Sequence, residues 1–333
     1  MKYYFAPMEG ITGYVYRNVH NEIYGGVDKY FMPFVSANHT KKLMRKEEED
    51  LKKDNNKNIT SIPQILGNKP DEVNAIIDYI KSVGYDEINL NFGCPSKTVV
   101  GKKKGSGIFN DPKLDILKTL MDSVFSREDV VSKELKISVK TRIGYRDKSE
   151  WENILKVYRD YPISELIIHP RLQKEFYKGV ADRDIFYKYM EKSEFSLCYN
   201  GDINTLESFK DFTESLKSYK GEVSSLMIGR GAIRNPNIFN EIRAEDKEIN
   251  RCEESNTDKK SLLRSFLDKL FISYTEVYKG DKRLAMLKMK EVWSYIKDDF
   301  NEPKKVAARI LKSKTYEEYL SGVDEIFAIY TLM

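Results

Sequence analysis

Two short glycine-containing runs of this chain could bind a phosphate group: NGD at 200–202 and GRGA at 229–232. Glycine lets main-chain N–H groups approach an anion closely, and Arg230 adds a guanidinium group. In barrels of alternating strands and helices, phosphate sites commonly form after the seventh and eighth strands. Each run follows an apolar segment, and these two segments are the seventh and eighth predicted strands of the chain. The pattern therefore predicts a cofactor that carries a phosphate.

Other residues able to do chemistry stand where predicted strands end. Each has an ordinary alternative: Cys94 could be a small buried residue, Lys140 could extend to solvent, and His169 could be a satisfied core histidine. In a barrel, however, the carboxyl ends of all strands meet at one rim. Because so many polar residues converge there, we favour a functional site. The residues in question are Pro7, Met8, Glu9, Gln64, Asn91, Cys94, Lys140, Arg142, His169, Arg171, Asn200 and Arg230.

The elements that would position them are eight short runs rich in β-branched and aromatic residues, most of them separated by helix-period stretches. This alternation over about 240 residues predicts an α/β fold, a (β/α)8 TIM barrel, with a doubly wound open sheet as the alternative. A helix is predicted over 70–83 and another over 112–125, with Asp111 as its N-cap. The charged stretch 36–60 is predicted to be helix and loop. Strands are predicted at 3–8, 29–34, 61–66, 86–91, 136–141, 165–169, 195–200 and 224–228.

A polar segment at 244–260 separates this pattern from a helical tail. It predicts a boundary near 245–258, between a barrel domain over 1–245 and a small all-helical domain over 258–333. Apolar spacing in the tail predicts helices around 262–271, 284–293 and 316–320.

The tail also contains a basic segment, PKKVAARILKSK at 303–314, which holds five cations and no acid. Lys305, Arg309 and Lys312 would share one helical face. A solvated lysine surface is the ordinary interpretation of such a run. Because the whole chain carries 56 basic and 52 acidic residues, a formal charge of only +4, we favour contact with RNA phosphates.

Composition excludes several other classes of protein. Three cysteines without a CxxC pair argue against a secreted disulfide scaffold, and three scattered histidines offer no metal-ligand spacing. No apolar run approaches the ~18 residues of a membrane span, and the N-terminus does not resemble a signal peptide. We therefore expect a cytoplasmic protein with no metal and no membrane association.

Six motifs in consistent order resemble the tRNA-dihydrouridine synthases. The resemblance covers about 1–245, and the helical tail fits the RNA-binding domain of that family. The motifs are APMEGIT at 6–12, NLNFGCP at 89–95, SVKTRIG at 138–144, IIHPR at 167–171, YNGDI at 199–203 and MIGRGA at 227–232.

The resemblance implies an FMN enzyme that reduces the C5=C6 bond of uridine in tRNA to 5,6-dihydrouridine, with NADPH or NADH as reductant. Reduced flavin would deliver the hydride. Cys94 would supply the proton, because a free thiol with a pKa near ~8.5 is mostly protonated at neutral pH. The expected partner is tRNA, with no obligate protein partner.

The resemblance also assigns site residues. Asn91, Arg142 and Arg171 would face the flipped uracil or the adjoining backbone, and Lys305, Arg309 and Lys312 would contact tRNA. The chain departs from the family at Lys102, Lys103 and Lys104, where relatives commonly have glycine and alanine. The residues expected to bind the cofactor are Pro7, Met8, Glu9, Gln64, Lys140, His169, Asn200, Gly201, Asp202, Gly229 and Arg230.

Three other functions remain open. A flavin barrel that reduces a free pyrimidine or a small ene substrate would share the FMN site, but it leaves the basic tail unexplained. A Schiff-base aldolase would use Lys140 as its nucleophile, and a non-catalytic RNA-binding protein would carry no flavin.

Overall fold

The computed structural model describes residues 1–246 and 256–333, and its strands form one sheet of parallel strands. All eight predicted strands are confirmed, with shifts of a few residues at their ends. The strands are β1 Lys2–Phe5, β2 Lys29–Phe31, β3 Val35–Ser36, β4 Ser61–Ile62, β5 Gln64–Leu66, β6 Glu87–Phe92, β7 Lys136–Arg142, β8 Leu166–His169, β9 Leu197–Tyr199 and β10 Ser225–Ile228.

Two of the predicted strands are each divided in two by a proline. Pro33 lies between β2 and β3, and Pro63 lies between β4 and β5. Proline has no N–H group for the ladder, so it interrupts strand pairing. Since β2 pairs with β1 and β4, β3 with β5, and β10 with β1, the segments close into a ring. The predicted (β/α)8 barrel is confirmed.

Helices follow most of the strands. In α3, Pro70 takes the first turn and Val73, Ile76, Ile77 and Ile80 form the buried face. The α-helices are α1 Tyr14–Ile23, α2 Arg45–Leu51, α3 Pro70–Ser82, α4 Lys97–Val100, α5 Asp115–Phe125, α6 Glu128–Val131, α7 Glu150–Arg159, α8 Arg183–Met190, α9 Leu206–Leu216, α10 Arg230–Arg234, α11 Ile238–Asp246, α12 Asn256–Val277, α13 Lys282–Ile296, α14 Pro303–Leu311 and α15 Tyr316–Ile329.

The predicted start of the helix over 112–125 was wrong, because α5 begins at Asp115. Leu114 adopts a left-handed conformation with φ +58°, which separates the turn at Pro112 from the helix. Asp111 still acts as a cap, since its carboxylate accepts N–H bonds from Lys113 at 3.1 Å and from Asp115 at 2.8 Å.

The interior of the barrel has an apolar layer with a polar group at the amino ends of the strands. Tyr4, Phe31, Ile167 and other buried residues form that layer. Glu165, just before β8, accepts hydrogen bonds from the hydroxyls of Tyr4 at 3.1 Å and Ser225 at 2.7 Å. Burial raises the pKa of Glu165. The residues predicted to do chemistry lie beyond this layer, at the carboxyl ends.

The chain divides into two compact units. One comprises 1–7, 28–202 and 211–228; the other comprises 8–27, 203–210 and the described part of 229–333. The predicted boundary near 245–258 lies mostly outside the described residues, so the division into domains 1–245 and 258–333 stays a prediction.

The second unit is built from helices that include the three predicted in the tail. Tyr16 of α1 packs edge-on against Phe266 of α12, with ring centroids 5.6 Å apart. Trp293 of α13 is fully buried, and its Nε1 donates to the hydroxyl of Tyr319 at 3.1 Å. Across the described ranges, no helix is long and apolar enough to cross a bilayer.

Candidate active site

A chain of buried amide groups crosses three neighbouring strands at the carboxyl end of the barrel. Asn91 Nδ2 donates to Gln64 Oε1 at 2.7 Å, and Gln64 Nε2 donates to Asn89 Oδ1 at 2.7 Å. Asn89 Nδ2 in turn donates to Ser138 Oγ at 2.9 Å. These bonds fix the orientation of Gln64 and leave it one N–H and one lone pair. Sequence reasoning missed Asn89 and Ser138, although a strand that alternates Asn-Leu-Asn places both asparagines on one face.

Asn91 also holds the turn that carries Cys94. Its Oδ1 accepts N–H bonds from Gly93 and Cys94, each at 2.9 Å. The carbonyl oxygen of Cys94 accepts from the main-chain N–H of Ser106 at 3.1 Å and from its Oγ at 2.9 Å. Cys94 is not disulfide-bonded to any described residue, and it is partly exposed. The turn therefore presents the sulfur from a backbone fixed on both sides.

Arg142, at the end of β7, ties two loops together. Its guanidinium donates to the carbonyl oxygens of Gly93 at 3.0 Å, Leu172 at 2.7 Å and Phe176. It also lies 5.5 Å from the ring centroid of Tyr177. Burial lowers the pKa of Arg142 to about 10, so it remains charged at neutral pH. Two of its five N–H groups remain for a ligand.

Arg171 and Asp202 form a buried two-pronged ion pair. Arg171 Nη1 lies 2.9 Å from Asp202 Oδ1, and Nη2 lies 2.5 Å from Oδ2. Arg171 Nη1 also lies 2.9 Å from His169 Nε2. Because a guanidinium can only donate, His169 Nε2 accepts and the proton of a neutral ring is on Nδ1. The Asp202 carboxylate neutralises Arg171, so only the main chain of Asp202 can favour a phosphate.

Lys140 lies beside Asn91 in the register of β6 and β7, on the same face of the sheet. Within the described chain, no residue accepts a hydrogen bond from its ammonium group or forms an ion pair with it. Burial lowers the pKa of Lys140 to about 8, and the nearby charge of Arg142 acts in the same direction. A cation that is partly removed from water and has no partner is unfavourable in the protein alone. It therefore marks a place for an electronegative ligand group.

The loop after β9 brings backbone close to its surroundings. Asn200 Nδ2 donates to the carbonyl of Met227 at 2.8 Å. A Cβ at Gly201 would lie 2.7 Å from Tyr199 Oη and 2.9 Å from Ala181 Cβ, so the position admits only glycine. Such a loop can turn main-chain N–H groups toward an anion.

The predicted cofactor residues are divided between the compact units. Pro7, which follows β1, belongs to the first unit, and the predicted cofactor residues from Gln64 to Asp202 belong to that unit as well. Met8, Glu9, Gly229 and Arg230 belong to the second unit. There the Met8 carbonyl accepts from the N–H groups of residues 11 and 12, and Arg230 is the first residue of α10.

A family model described as dihydrouridine synthase matches residues 4–325. The chain belongs to the dihydrouridine synthase family. It is 28% identical over 246 residues to the tRNA-dihydrouridine(16) synthase of Neisseria meningitidis, covering 72% of this chain and 70% of the relative. It is 29% identical over 249 residues to a probable tRNA-dihydrouridine synthase of Staphylococcus aureus, covering 70% and 69%. It is also 28% identical over 240 residues to tRNA-dihydrouridine synthase B of Pasteurella multocida, covering 71% and 67%.

Membership confirms the resemblance inferred from the motifs and makes this protein an oxidoreductase. Within residues 1–246 and 256–333, no three side chains of His, Cys, Asp or Glu are grouped to hold a metal ion. The third cysteine, Cys252, lies outside the described residues.

Two cations in the basic segment of this dihydrouridine synthase form ion pairs with acids that lie outside the segment. Lys305 pairs with Glu302 at 3.0 Å, and Arg309 pairs with Glu325 at 2.7 Å. The expectation that these cations are uncompensated was wrong, because both acids lie outside 303–314. Lys312 is the C-cap residue of α14, and its backbone is still in the right-handed helical region.

Proposed function

We propose that this protein reduces the C5=C6 bond of uridine in tRNA to 5,6-dihydrouridine, with FMN as cofactor and NADPH or NADH as reductant. Its family supports the reaction class, and the names of its relatives support tRNA as substrate. One observation carries the proposal. A partly exposed thiol, Cys94, and a half-buried cation with no partner among the described residues, Lys140, share the rim of one barrel.

The residues of the rim fit a flavin. The ammonium group of Lys140 and the remaining amide atoms of Gln64 suit the polar edge of its ring, and His169 lies in the same rim. The backbone around Gly201 and the amide of Asn200 suit its phosphate. Bound FMN supplies the hydride. We assign the rest of the cofactor site from the family motifs, to Pro7, Met8, Glu9, Asp202, Gly229 and Arg230.

Cys94 acts as the proton donor in this scheme. Addition of hydride to C6 of uracil leaves negative charge on C5 and O4, and the thiol gives its proton to C5. The turn held by Asn91 fixes where the sulfur lies. The positive charges of Arg142 and Lys140 stabilise the thiolate that remains.

The uracil must leave its stack to reach the rim, at a cost of a few kcal/mol unless it is already unpaired. Asn91 and the two remaining N–H groups of Arg142 are suited to bind the flipped base. Arg171 supports the base indirectly, through its hydrogen bond to His169. Lys305, Arg309 and Lys312 would contact the tRNA backbone. We assign the reaction to the cytoplasm, where free cysteines persist.

The experiment compares the wild-type protein with Cys94→Ala, each loaded with FMN and supplied with NADPH and an unmodified tRNA transcript. Dihydrouridine is measured by mass spectrometry of the digested RNA. We expect the variant to lose about 10²–10⁴-fold in rate, the usual contribution of a general acid, while NADPH still reduces its flavin.

Two results would overturn the proposal. A wild-type protein that binds no flavin cannot catalyse this reaction. A protein that reduces free uridine as well as it reduces the transcript belongs instead with the reductases of small substrates.

A further inference from the structure

The lysine-rich loop that departs from the family motif is packed directly against Cys94. Ser106 donates to the Cys94 carbonyl from its main-chain N–H and its hydroxyl. Gly105 has φ +54°, and a Cβ there would lie 2.6 Å from the Cys94 oxygen and 3.0 Å from its Cβ. The loop and the proton donor are therefore held as one piece of backbone.

The tip of this loop is anchored by its backbone. Asn68 Nδ2 donates to the carbonyl oxygens of Lys102 at 3.0 Å and Lys103 at 3.3 Å. The Nζ of Lys104 donates to the carbonyl of Ala37. Burial lowers the pKa of Lys104, which fits its inward direction. The side chain of Lys104 is thus used to hold the loop, whereas Lys102 and Lys103 are held by their main-chain carbonyl groups.

The side chains of Lys102 and Lys103 are exposed. Neither forms an ion pair with any residue in the described ranges of the chain. Some other exposed lysines of the barrel unit pair with a nearby acid, for example Lys52 with Glu49 at 2.6 Å. The charge of Lys103 helps to lower the pKa of the nearby Asp111 carboxyl without forming an ion pair with it. Because the turn is preformed, only the two lysine side chains, and not the backbone, would lose freedom on binding an anion.

We propose that Lys102 and Lys103 bind the phosphates that flank the target uridine of tRNA. This inference rests on the proposed function. Lys102 lies three positions before Gly105, so its Cα is at most ~11 Å from that glycine, which itself contacts Cys94. A nucleotide whose base reaches Cys94 brings its neighbouring phosphates within reach of these ammonium groups. Such contacts position the strand and do not select the base.

The test is the salt dependence of tRNA binding by the full-length FMN-loaded protein. The variant is K102A/K103A, and its matched control is K133A/K136A. The control lysines are also exposed, unpaired within the described chain and close to the start of β7, at the opposite end of the barrel. Lys103 and Lys133 both have positive φ, 54° and 66°, so the backbone effect of alanine is matched.

We expect K102A/K103A to bind the transcript more weakly, with a log–log salt slope smaller by ~1.4–1.8, since each phosphate that a lysine neutralises contributes ~0.7–0.9. The control should keep the wild-type slope, and K102R/K103R should restore it. A slope unchanged in K102A/K103A, or lowered equally in the control, overturns the inference. The proposed function fails separately, if the wild-type protein makes no dihydrouridine.

Discussion

Lys140 is half-buried in the barrel, and its ammonium group has no acceptor from the described chain, so this placement has an energetic cost. Desolvation favours the neutral amine, which is why its pKa falls to about 8. Evolution retains such a group where a ligand compensates it. At the residue scale, the flavin-free protein should therefore be destabilised at the position that we propose for the cofactor.

This strain predicts a pH dependence. Because the folded protein releases the Lys140 proton near pH 8 and the unfolded chain keeps it to ~10.4, the unfolded state binds more protons between these values. The stability of flavin-free protein should rise with pH across that window. FMN affinity should fall there by up to about tenfold per pH unit, since binding uses the charged lysine.

Urea denaturation and flavin titration from pH 7 to pH 10 measure both effects. Lys140→Met should remove the rise in stability and bind FMN weakly at every pH. Lys156→Met, on an exposed face of α7, serves as the control. The same rise in the Lys140→Met protein would show that another group is responsible.

At the scale of elements, the site depends on how the loops after β6 and β8 are joined. Arg142 connects them by donating to the carbonyl oxygens of Gly93, Leu172 and Phe176. A planar guanidinium can reach all three, whereas the ammonium group of lysine is a compact point charge. The charge alone would not preserve this connection.

Arg142→Lys should therefore destabilise the protein by about 1–3 kcal/mol, the cost of leaving buried carbonyls unpaired. It should also lower kcat for tRNA reduction more than it weakens tRNA binding, because the Cys94 turn loses a support. Denaturation and steady-state kinetics measure the two effects. The control is Arg146→Lys, at an exposed guanidinium nearby. A variant as stable and as fast as wild type would show that the connection is unimportant.

The two broken strands show what a pattern of apolar residues can and cannot predict. The periodicity that marked 61–66 as one strand is correct, and Pro63 could have indicated the break. The start of α5 could not be predicted in the same way, because Leu114 adopts a left-handed conformation that a side chain with a β-carbon rarely takes.

At the scale of the whole molecule, the alternation of strand and helix patterns was enough to predict the barrel. These patterns could not predict which polar groups of the rim are used within the protein. The pairing of Arg171 with Asp202 joins residues 31 positions apart, and Arg309 finds Glu325 on another helix. The charges in a short stretch of sequence do not reveal partners that lie far away in the chain. Some side chains that were predicted to face a ligand therefore form ion pairs within the protein.

The cations of the tail should have two different roles, with Lys305 and Lys312 binding tRNA and Arg309 stabilising the fold. Lys305 and Lys312 are exposed, whereas Arg309 is engaged by Glu325 and by Ser321 at 3.1 Å. We expect the double change Lys305→Gln and Lys312→Gln to weaken tRNA binding and to lower the log–log salt slope by ~0.7–0.9 for each phosphate that is no longer neutralised. NADPH oxidation with an artificial acceptor should not change, because neither lysine is assigned to the cofactor.

Arg309→Gln should act differently, lowering the melting temperature because it removes a link between α14 and α15. Lys279→Gln, at an exposed lysine between α12 and α13, controls for the loss of a positive charge. Salt titrations of tRNA binding and thermal denaturation of each folded variant separate the two roles. If the lysine variant keeps both the affinity and the slope of the wild type, its lysines form a solvated surface. Other cations would then have to bind the tRNA backbone, and Lys102 and Lys103 would be the next residues to test.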